Sequence, residues 1–376
     1  MVSINFGFLK DLFKEEPTNF MGVDIGTSAI KIVELTKEKE RAKLLTYGEA
    51  GTYYAIEKLT DIGSMKNQQQ ISDTSIVELI KDLKASVKTK SAAAVFSLPL
   101  ASSFSTVMEF PKMKMEEIEK AIEYEARQYV PIPISEVSLK WNILSETKKE
   151  QQPASDKSAK DEEKIEVLLV AVPKEVIFRY ESIAKSAGIE ILDMELESYS
   201  SARAVIGNDK MTTVLIDIGA RSSDISIIDE SVVKFNHNLD IGGADITRVI
   251  SQSLSIPLIR AEELKKEFGL SAGGGEKEIS NLMSSVVDLI ITEAQRMTDV
   301  FTRKKNKKIE RIIMVGGGAS LPGIGDYFAT RLGAPVSLGN PFSKIIYPPE
   351  LEPIIKRIGP SYCVATGLAL RNLPSY

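Results

Sequence analysis

Apolar residues along this chain change period several times, and each change marks an element. From residue 20 to 36 two apolar, β-rich runs flank Gly26-Thr27-Ser28, predicting a β-hairpin, and residues 42–54 predict a third, alternating strand. From Thr74 to Val87 they return every three or four positions behind Ser72, Asp73 and Thr74, any of which can cap a helix. Ala92–Pro99 is a short continuous apolar run closed by proline, the pattern of a buried strand, and Val107–Pro111 predicts another strand. Met115–Tyr129 predicts a strongly amphipathic helix: Met115, Ile118, Ile122 and Ala126 form an apolar stripe, Glu116, Glu119, Glu123 and Glu125 an acidic flank, and Pro131 and Pro133 end it.

Strands are predicted over 138–144, 165–172 and 189–194, and a helix over 174–187. Between the first two strands, 146–164 is almost wholly Lys, Glu, Gln, Ser, Asp and Ala. Such a segment cannot bury enough surface to offset its ordering entropy, so it reads as a disordered excursion of a hairpin. A second hairpin opens at Val214. Helices follow over 244–255, 260–268 and 278–304, the last carrying Leu282, Val286, Leu289, Ile290 and Met297. Gly273-Gly274-Gly275 lies between helices with no strand before it, and reads as a flexible loop. The closing stretch from Gly359 to Leu370, with Ala365, Gly367 and Ala369, reads as a helix packed closely on another backbone.

At 376 residues with 43% hydrophobic content, the chain is long enough for two or three domains with real cores. A net charge of −5 argues against a basic nucleic-acid-binding face. With Cys363 and His237 the only residues of their kinds, a disulfide framework and multi-ligand Cys/His zinc sites are excluded. No apolar stretch is long enough to span a bilayer and no signal-peptide pattern follows the first residues, so a cytoplasmic location is expected. Ile4, Phe8 and Leu12 share one helical stripe, but the nearby charges nearly cancel. This tail is expected to pack on its own domain or a neighbour rather than on lipid.

The chemistry concentrates in a repeated phrase, Val23-Asp24-Ile25-Gly26-Thr27-Ser28 and Ile216-Asp217-Ile218-Gly219-Ala220-Arg221. In each, an apolar run delivers an Asp to a turn where Gly leaves room for a phosphate. The turn amides can form an anion nest while the Asp holds a hydrated metal ion on the phosphate oxygens. One copy alone would be an ordinary hairpin turn; two in register are far harder to obtain by chance. A third element, Ile312 to Gly323, runs an apolar strand into Gly316-Gly317-Gly318, where backbone can lie flat against a purine or sugar.

The order hairpin, hairpin, strand-Gly-Gly-Gly resembles the actin-like ATPase superfamily: actin, heat-shock chaperones, sugar kinases and the division protein FtsA. The resemblance implies an α/β fold of two duplicated ribonuclease-H-like lobes with ATP or ADP and Mg²⁺ in the cleft between them. It implies nucleotide contacts from Asp24, Gly26, Thr27, Ser28, Lys31, Asp217, Gly219, Gly242, Gly243, Glu262, Lys265 and Gly316 to Gly318, with Asp24 and Asp217 acting on the metal through water. Lys31 follows Asp24 at the distance at which Asp224 follows Asp217. Lys31 matches a phosphate-binding lysine and Asp224 a water-orienting acid, although either could be a charged strand end. Glu197 matches a second water-ordering acid, with Glu195 near enough to take its place. Glu262 and Lys265 could equally be a solvated ion pair. Ala220-Arg221 stands where many active members have glycine, so slow or absent hydrolysis is expected.

A heat-shock chaperone would continue into a substrate domain, and FtsA typically ends in a basic amphipathic helix that Arg371–Tyr376 does not resemble. Over nearly its whole length the chain is similar instead to the PilM family of the type IV pilus inner-membrane platform. The phrases that carry this are Gly22–Glu34, Ser97-Leu98-Pro99, Glu117–Pro131 and Val167–Lys174. The implied layout is a tail over 1–19, a first lobe over 20–92 with 181–212 and 356–376, an inserted α+β subdomain over 93–180, and a second lobe over 213–355. The implied partner is the cytoplasmic N-terminal tail of a PilN-like membrane protein, so that the membrane is met only indirectly. That tail is expected beside Val107, Met108, Glu119, Ile122 and Glu123, unless the helix stripe there merely covers its own sheet. Pilus motor ATPases and further copies of the chain are additional candidate partners, and an FtsA-like filament-forming ATPase is the alternative reading.

Overall fold

The computed structural model describes residues 18–52, 71–146, 164–271 and 277–373. Nearly all of the 1–19 tail, most of the polar 146–164 segment and Gly273 to Gly275 lie outside the described residues.

The chain opens with an antiparallel meander, β1 (Asn19–Ile25), β2 (Ala29–Glu38) and β3 (Arg41–Gly51). After helix α1 (Asp73–Val87), β4 (Ala93–Leu98) adds in parallel beside β1. Ser72 caps α1, its hydroxyl accepting from the Ser75 amide at 3.1 Å. The chain then leaves this sheet for a three-stranded antiparallel one, ordered β5-β7-β6. It comprises β5 (Phe104–Pro111), helix α2 (Met115–Tyr129), β6 (Val137–Glu146) and β7 (Lys164–Pro173). Helix α3 (Lys174–Ser186) leads back to β8 (Glu190–Leu196), which completes the order β3-β2-β1-β4-β8.

The same construction then repeats. Helix α4 (Glu197–Val205) crosses to β9 (Thr213–Ile218), β10 (Ser223–Asp229) and β11 (Val232–Leu239). Helices α5 (Gly243–Leu254), α6 (Leu258–Phe268) and α7 (Lys277–Lys305) precede β12 (Arg311–Val315), α8 (Ile324–Leu332) and β13 (Val336–Leu338). The sheet order β11-β10-β9-β12-β13 reproduces the first, strand for strand. Central strands of both sheets are covered on both faces, which is why they read as continuous apolar runs rather than alternating ones. The duplicated α/β architecture expected from the sequence is present.

Three boundaries move. β4 is the fourth strand of the first sheet, and α3 buries Ile177, Tyr180 and Ile183 in that sheet's core, so neither belongs to the inserted block expected over 93–180. The insertion proper is β5 to β7 with α2. At the other end, Phe342, Ile345 and Ile355 pack with Val33, Leu35 and Leu44, and the Ile346 amide donates to Ala42 O at 2.8 Å. The chain has thus rejoined the first lobe before residue 356. A short apolar run announces a strand or a buried helix face but not which sheet it joins.

Two helices pack together at the seam between the lobes. α10 (Cys363–Leu370), reached after α9 (Glu352–Ile358), lies so close to α4 that a Cβ on Gly367 would fall 1.8 Å from Ser200 O. α10 also lies against β1, where a Cβ on Gly22 would meet Ala365 O at 2.2 Å. Behind this contact Arg371 reaches Asp193 at 2.7 Å and pairs with Glu195, which is also held by Arg203.

Candidate nucleotide site between the sheets

Register places the two hairpin turns in equivalent positions. Asp24 pairs across its hairpin with Lys31, and Asp217 with Asp224. Each turn closes in the same way, the Gly26 amide donating to Ala29 O at 3.1 Å and the Gly219 amide to Ser222 O at 2.9 Å. Thr27 and Ser28 are exposed at the tip, and their carbonyls are fixed by the Thr52 hydroxyl and amide at 2.8 and 2.9 Å.

The turns converge on one acidic cluster. Burial raises the Asp24 carboxyl above its ordinary range, against Lys31 and a 2.9 Å hydrogen bond from the Ser97 hydroxyl. Asp217 is pushed up to about 7, first by burial and then by Asp224 and Asp24, with Lys31 opposing. Glu197, at the start of α4, accepts from the Leu100 amide at 2.8 Å and hydrogen-bonds Asp224. Burial and that neighbour raise Glu197 well above a normal carboxyl, and burial raises Asp224 as well. Asn238 donates to the other side of Asp224 at 2.6 Å. Glu195 turns away into its arginine cluster, so Glu197 is the acid that reaches the cleft. Ser97 and Asn238 were not singled out from sequence as site residues: a serine in a buried strand and an asparagine on an edge strand carry no local signature.

The glycine triplet has divided duties. Gly316 sits at φ +82°, and a Cβ there would come within 2.2 Å of Asp217 Oδ1; one on Gly318 would meet Ile218 Cγ2 at 2.3 Å. Both clamp the strand end onto the second hairpin, while Gly317 faces open space. The Gly242 amide donates to the Asp245 carboxylate at 2.9 Å. The amides of Gly243 and Ala244 donate to Gly219 O and Ala220 O at 2.9 and 2.8 Å, so these donors brace the second hairpin instead of remaining open to an anion.

Glu262 and Lys265 are not a solvated pair. Lys265 is buried, donating to Gly243 O at 3.0 Å and Thr247 Oγ1 at 2.8 Å, with Glu262 at 2.6 Å. Burial disfavours the Glu262 carboxylate, but Lys265 and Thr247 outweigh it and hold its pKa below the ordinary range. Arg221 is half-exposed and lies 3.6 Å from Asp240, at the rim.

Among the described residues no group of three or more His, Cys, Asp or Glu is placed to hold a metal directly. The cluster nonetheless suits a hydrated divalent cation. Asp24, Asp217 and Asp224 repel one another with Lys31 as the opposing cation, and a cation held through water would relieve that repulsion.

The expected partner surface needs correction. Met108 and Ile122 are buried with Ile118, Ala126, Val167 and Leu169 between α2 and its sheet, and Val107 packs toward the first-lobe core. These three are therefore spent on the fold. Glu119 and Glu123 are exposed, as are Met115, Tyr124 and Tyr129. Met115 was expected in the same apolar stripe, but at the first turn of α2 it is 56% exposed. Beside the end of α2, Arg127, Ile132, Pro133 and Ile134 line a cavity of about 370 Å³.

Two repeated sheets, facing Asp hairpins and a glycine-clamped strand between them define an actin-like ATPase fold. The structure of a PilM-PilN type IV pilus biogenesis complex superposes with a TM-score of 0.76 at 24% identity, covering 94% of this chain and 98% of that one. MreB5 of Spiroplasma citri bound to AMPPNP does so with a TM-score of 0.51 at 14% identity, covering 95% and 97%. The model of the family "Type IV pilus assembly protein PilM" matches residues 22–373, and the chain belongs to that family. Cell division protein FtsA of Pseudomonas aeruginosa is 24% identical over 245 residues, 59% of this chain and 57% of its own length. FtsA of Staphylococcus epidermidis is 20% identical over 374 residues, 91% of this chain and 78% of its own.

Proposed function

We propose that this chain is a nucleotide-loaded scaffold of the type IV pilus assembly platform. On this reading it binds ATP or ADP with Mg²⁺ between its lobes and holds the N-terminal tail of a PilN-like protein against its inserted unit. The observation that carries the nucleotide reading is the convergence of Asp24, Lys31, Asp217, Asp224 and Glu197 between two equivalent glycine turns. Lys31 would meet the phosphates, Asp24 and Asp217 would orient a hydrated Mg²⁺, and Gly317 would leave backbone free for the base or sugar. The bound cation would supply charge neutralisation of the phosphates. Glu197 and Asp224 hydrogen-bond each other and are held by Leu100 and Asn238, so both carboxyls are already engaged; turnover is expected well below the about 1–1000 per second of ordinary enzymes.

Calorimetry with MgADP and MgATP tests the binding. Wild-type protein should give magnesium-dependent heat that Asp24→Ala and Asp217→Ala each abolish, and the absence of any such heat from the wild type would refute the reading.

The partner reading rests on family membership and on the similar fold of the PilM-PilN complex. Exposed Glu119 and Glu123 beside Met115 and Tyr124 offer acidic and apolar contacts to a peptide with basic and apolar residues. Such a partner would bring the chain to the cytoplasmic face of the membrane; no helix among the described residues is long and apolar enough to cross one. A PilN-like N-terminal peptide should bind, and Glu119→Lys or Glu123→Lys should weaken it without altering ATP affinity. Unchanged peptide affinity in both folded variants would place the groove elsewhere.

A further inference from the structure

Glu109 on β5 and Glu166 on β7 are directly opposed across the inserted sheet. Two like charges in that position destabilise a strand pair unless cations from outside compensate. Lys164 of the insertion lies 3.4 Å from Glu109, and the other cations come from the second lobe. Lys234 of β11 lies 2.5 Å from Glu166, and Lys305 of α7 lies 2.6 Å from Glu166 and 3.1 Å from Glu109. Lys304 stands 3.9 Å from Glu109.

The second lobe is shaped for this contact. β11 slips register against β10 between Ile227 and Ile228, so that Lys234 is the extra residue of a bulge, which re-aims its side chain off the sheet edge. Lys304 and Lys305 fall in the last turn of α7, where cations suit the helix terminus. The Lys234–Glu166 pair is nearly dry, its side chains 10% and 11% exposed. Burial disfavours the Glu166 carboxylate, yet the two lysines hold its pKa down at about 2.

The same strand reaches the acidic cluster. Asn238, four residues beyond Lys234 on β11, donates to Asp224, and Asp224 hydrogen-bonds Glu197. Glu197 in turn accepts from Leu100, where the chain leaves β4 for the insertion. The inserted unit therefore meets the second lobe at two points, its root beside the cluster and its outer edge at the lysines.

We infer that Glu109 and Glu166 of the insertion, with Lys234 and Lys305 of the second lobe, form an ionic clasp that fixes the lobes relative to each other and couples nucleotide binding to the inserted unit. The coupling rests on the nucleotide reading above; the clasp does not. A nucleotide that draws the second lobe toward the first must move β11 against β5, so clasp and cleft are linked, and each biases the other by the same factor.

The test uses the full chain in two variants. Lys234→Met/Lys305→Met removes the cations while keeping their apolar stems. The second variant adds Glu109→Gln and Glu166→Gln, so that no unpaired charge stays buried and folding is retained if the first variant fails to fold. Hydrogen exchange without nucleotide reads the clasp, and amides of β5 and β11 should exchange faster in a folded variant than in the wild type. Unchanged exchange at both strands would overturn the clasp. Calorimetry with MgADP reads the coupling: the quadruple variant should differ from wild type by about fivefold or more in affinity. An affinity within about twofold of wild type would overturn the coupling while leaving the nucleotide reading intact. No MgADP heat from the wild type would overturn the nucleotide reading and the coupling together, with the exchange result still deciding the clasp.

Discussion

Asp217 has Asp224 and Asp24 as neighbours and Lys31 as its opposing cation, and its carboxyl titrates near 7 where an ordinary aspartate titrates near 3.8. A carboxyl with a raised folded pKa favours the folded state fully below its unfolded pKa, and that contribution is lost as pH rises toward the folded value. Without nucleotide, the contribution of Asp217 to stability should therefore decline from about pH 4 to pH 7. Asp217→Asn should remove that decline. Thermal unfolding from pH 4.5 to 8 checks it: the variant should gain on the wild type as pH rises, by on the order of 3 kcal/mol at most. A constant difference across the range would show that Asp217 ionises freely. At this scale the sequence was most informative where backbone geometry itself was constrained. Gly316 must be glycine because of its φ and the nearby Asp217 oxygen, whereas at Gly26 and Gly219 the constraint is the close approach of Ala29 O and Ser222 O, each 2.9 Å from where a Cβ would sit. Side chains without a backbone signature were opaque. Nothing local distinguishes Glu195, locked between arginines, from Glu197, which faces the cleft two residues later.

Among the elements, α4 and α10 pack backbone against backbone in the interlobe seam. With a prospective Cβ 1.8 Å from Ser200 O, Gly367→Ala must separate the two helices, because a backbone oxygen cannot turn aside. A loss of about 3 kcal/mol or more in denaturant unfolding is expected, at the upper end of overpacking effects. A loss below about 0.5 kcal/mol would mean the helices slide freely. The small-residue pattern of this helix announced the close packing. Helical periodicity equally announced that α2 buries Ile118, Ile122 and Ala126, but not against what. Those residues cover their own sheet, so only the helix margin is open to a partner.

For the whole molecule, the ion cluster of Arg371, Asp193, Glu195 and Arg203 ties the end of the chain to β8 and α4, beside the seam between lobes. Arg371→Leu would leave Asp193 and part of Glu195 uncompensated in a buried site. The expected cost is about 3–5 kcal/mol, read by chemical denaturation. Adding Asp193→Asn should restore a substantial part of it, and no restoration would mean that packing, not charge, sets the loss. What the sequence determined by itself is the class of the protein: the twin Asp-Gly hairpins, the glycine triplet and the alternation of strands with helices are local demands of turns, close approaches and burial period. Tertiary structure alone decided which sheet received β4, that α3 and residues 342–355 serve the first lobe, that Lys265 is buried rather than solvated, and that Lys234 and Lys305 find glutamates on another unit. Those outcomes depend on which distant surfaces meet, and neither the period of a segment nor its composition encodes its partner.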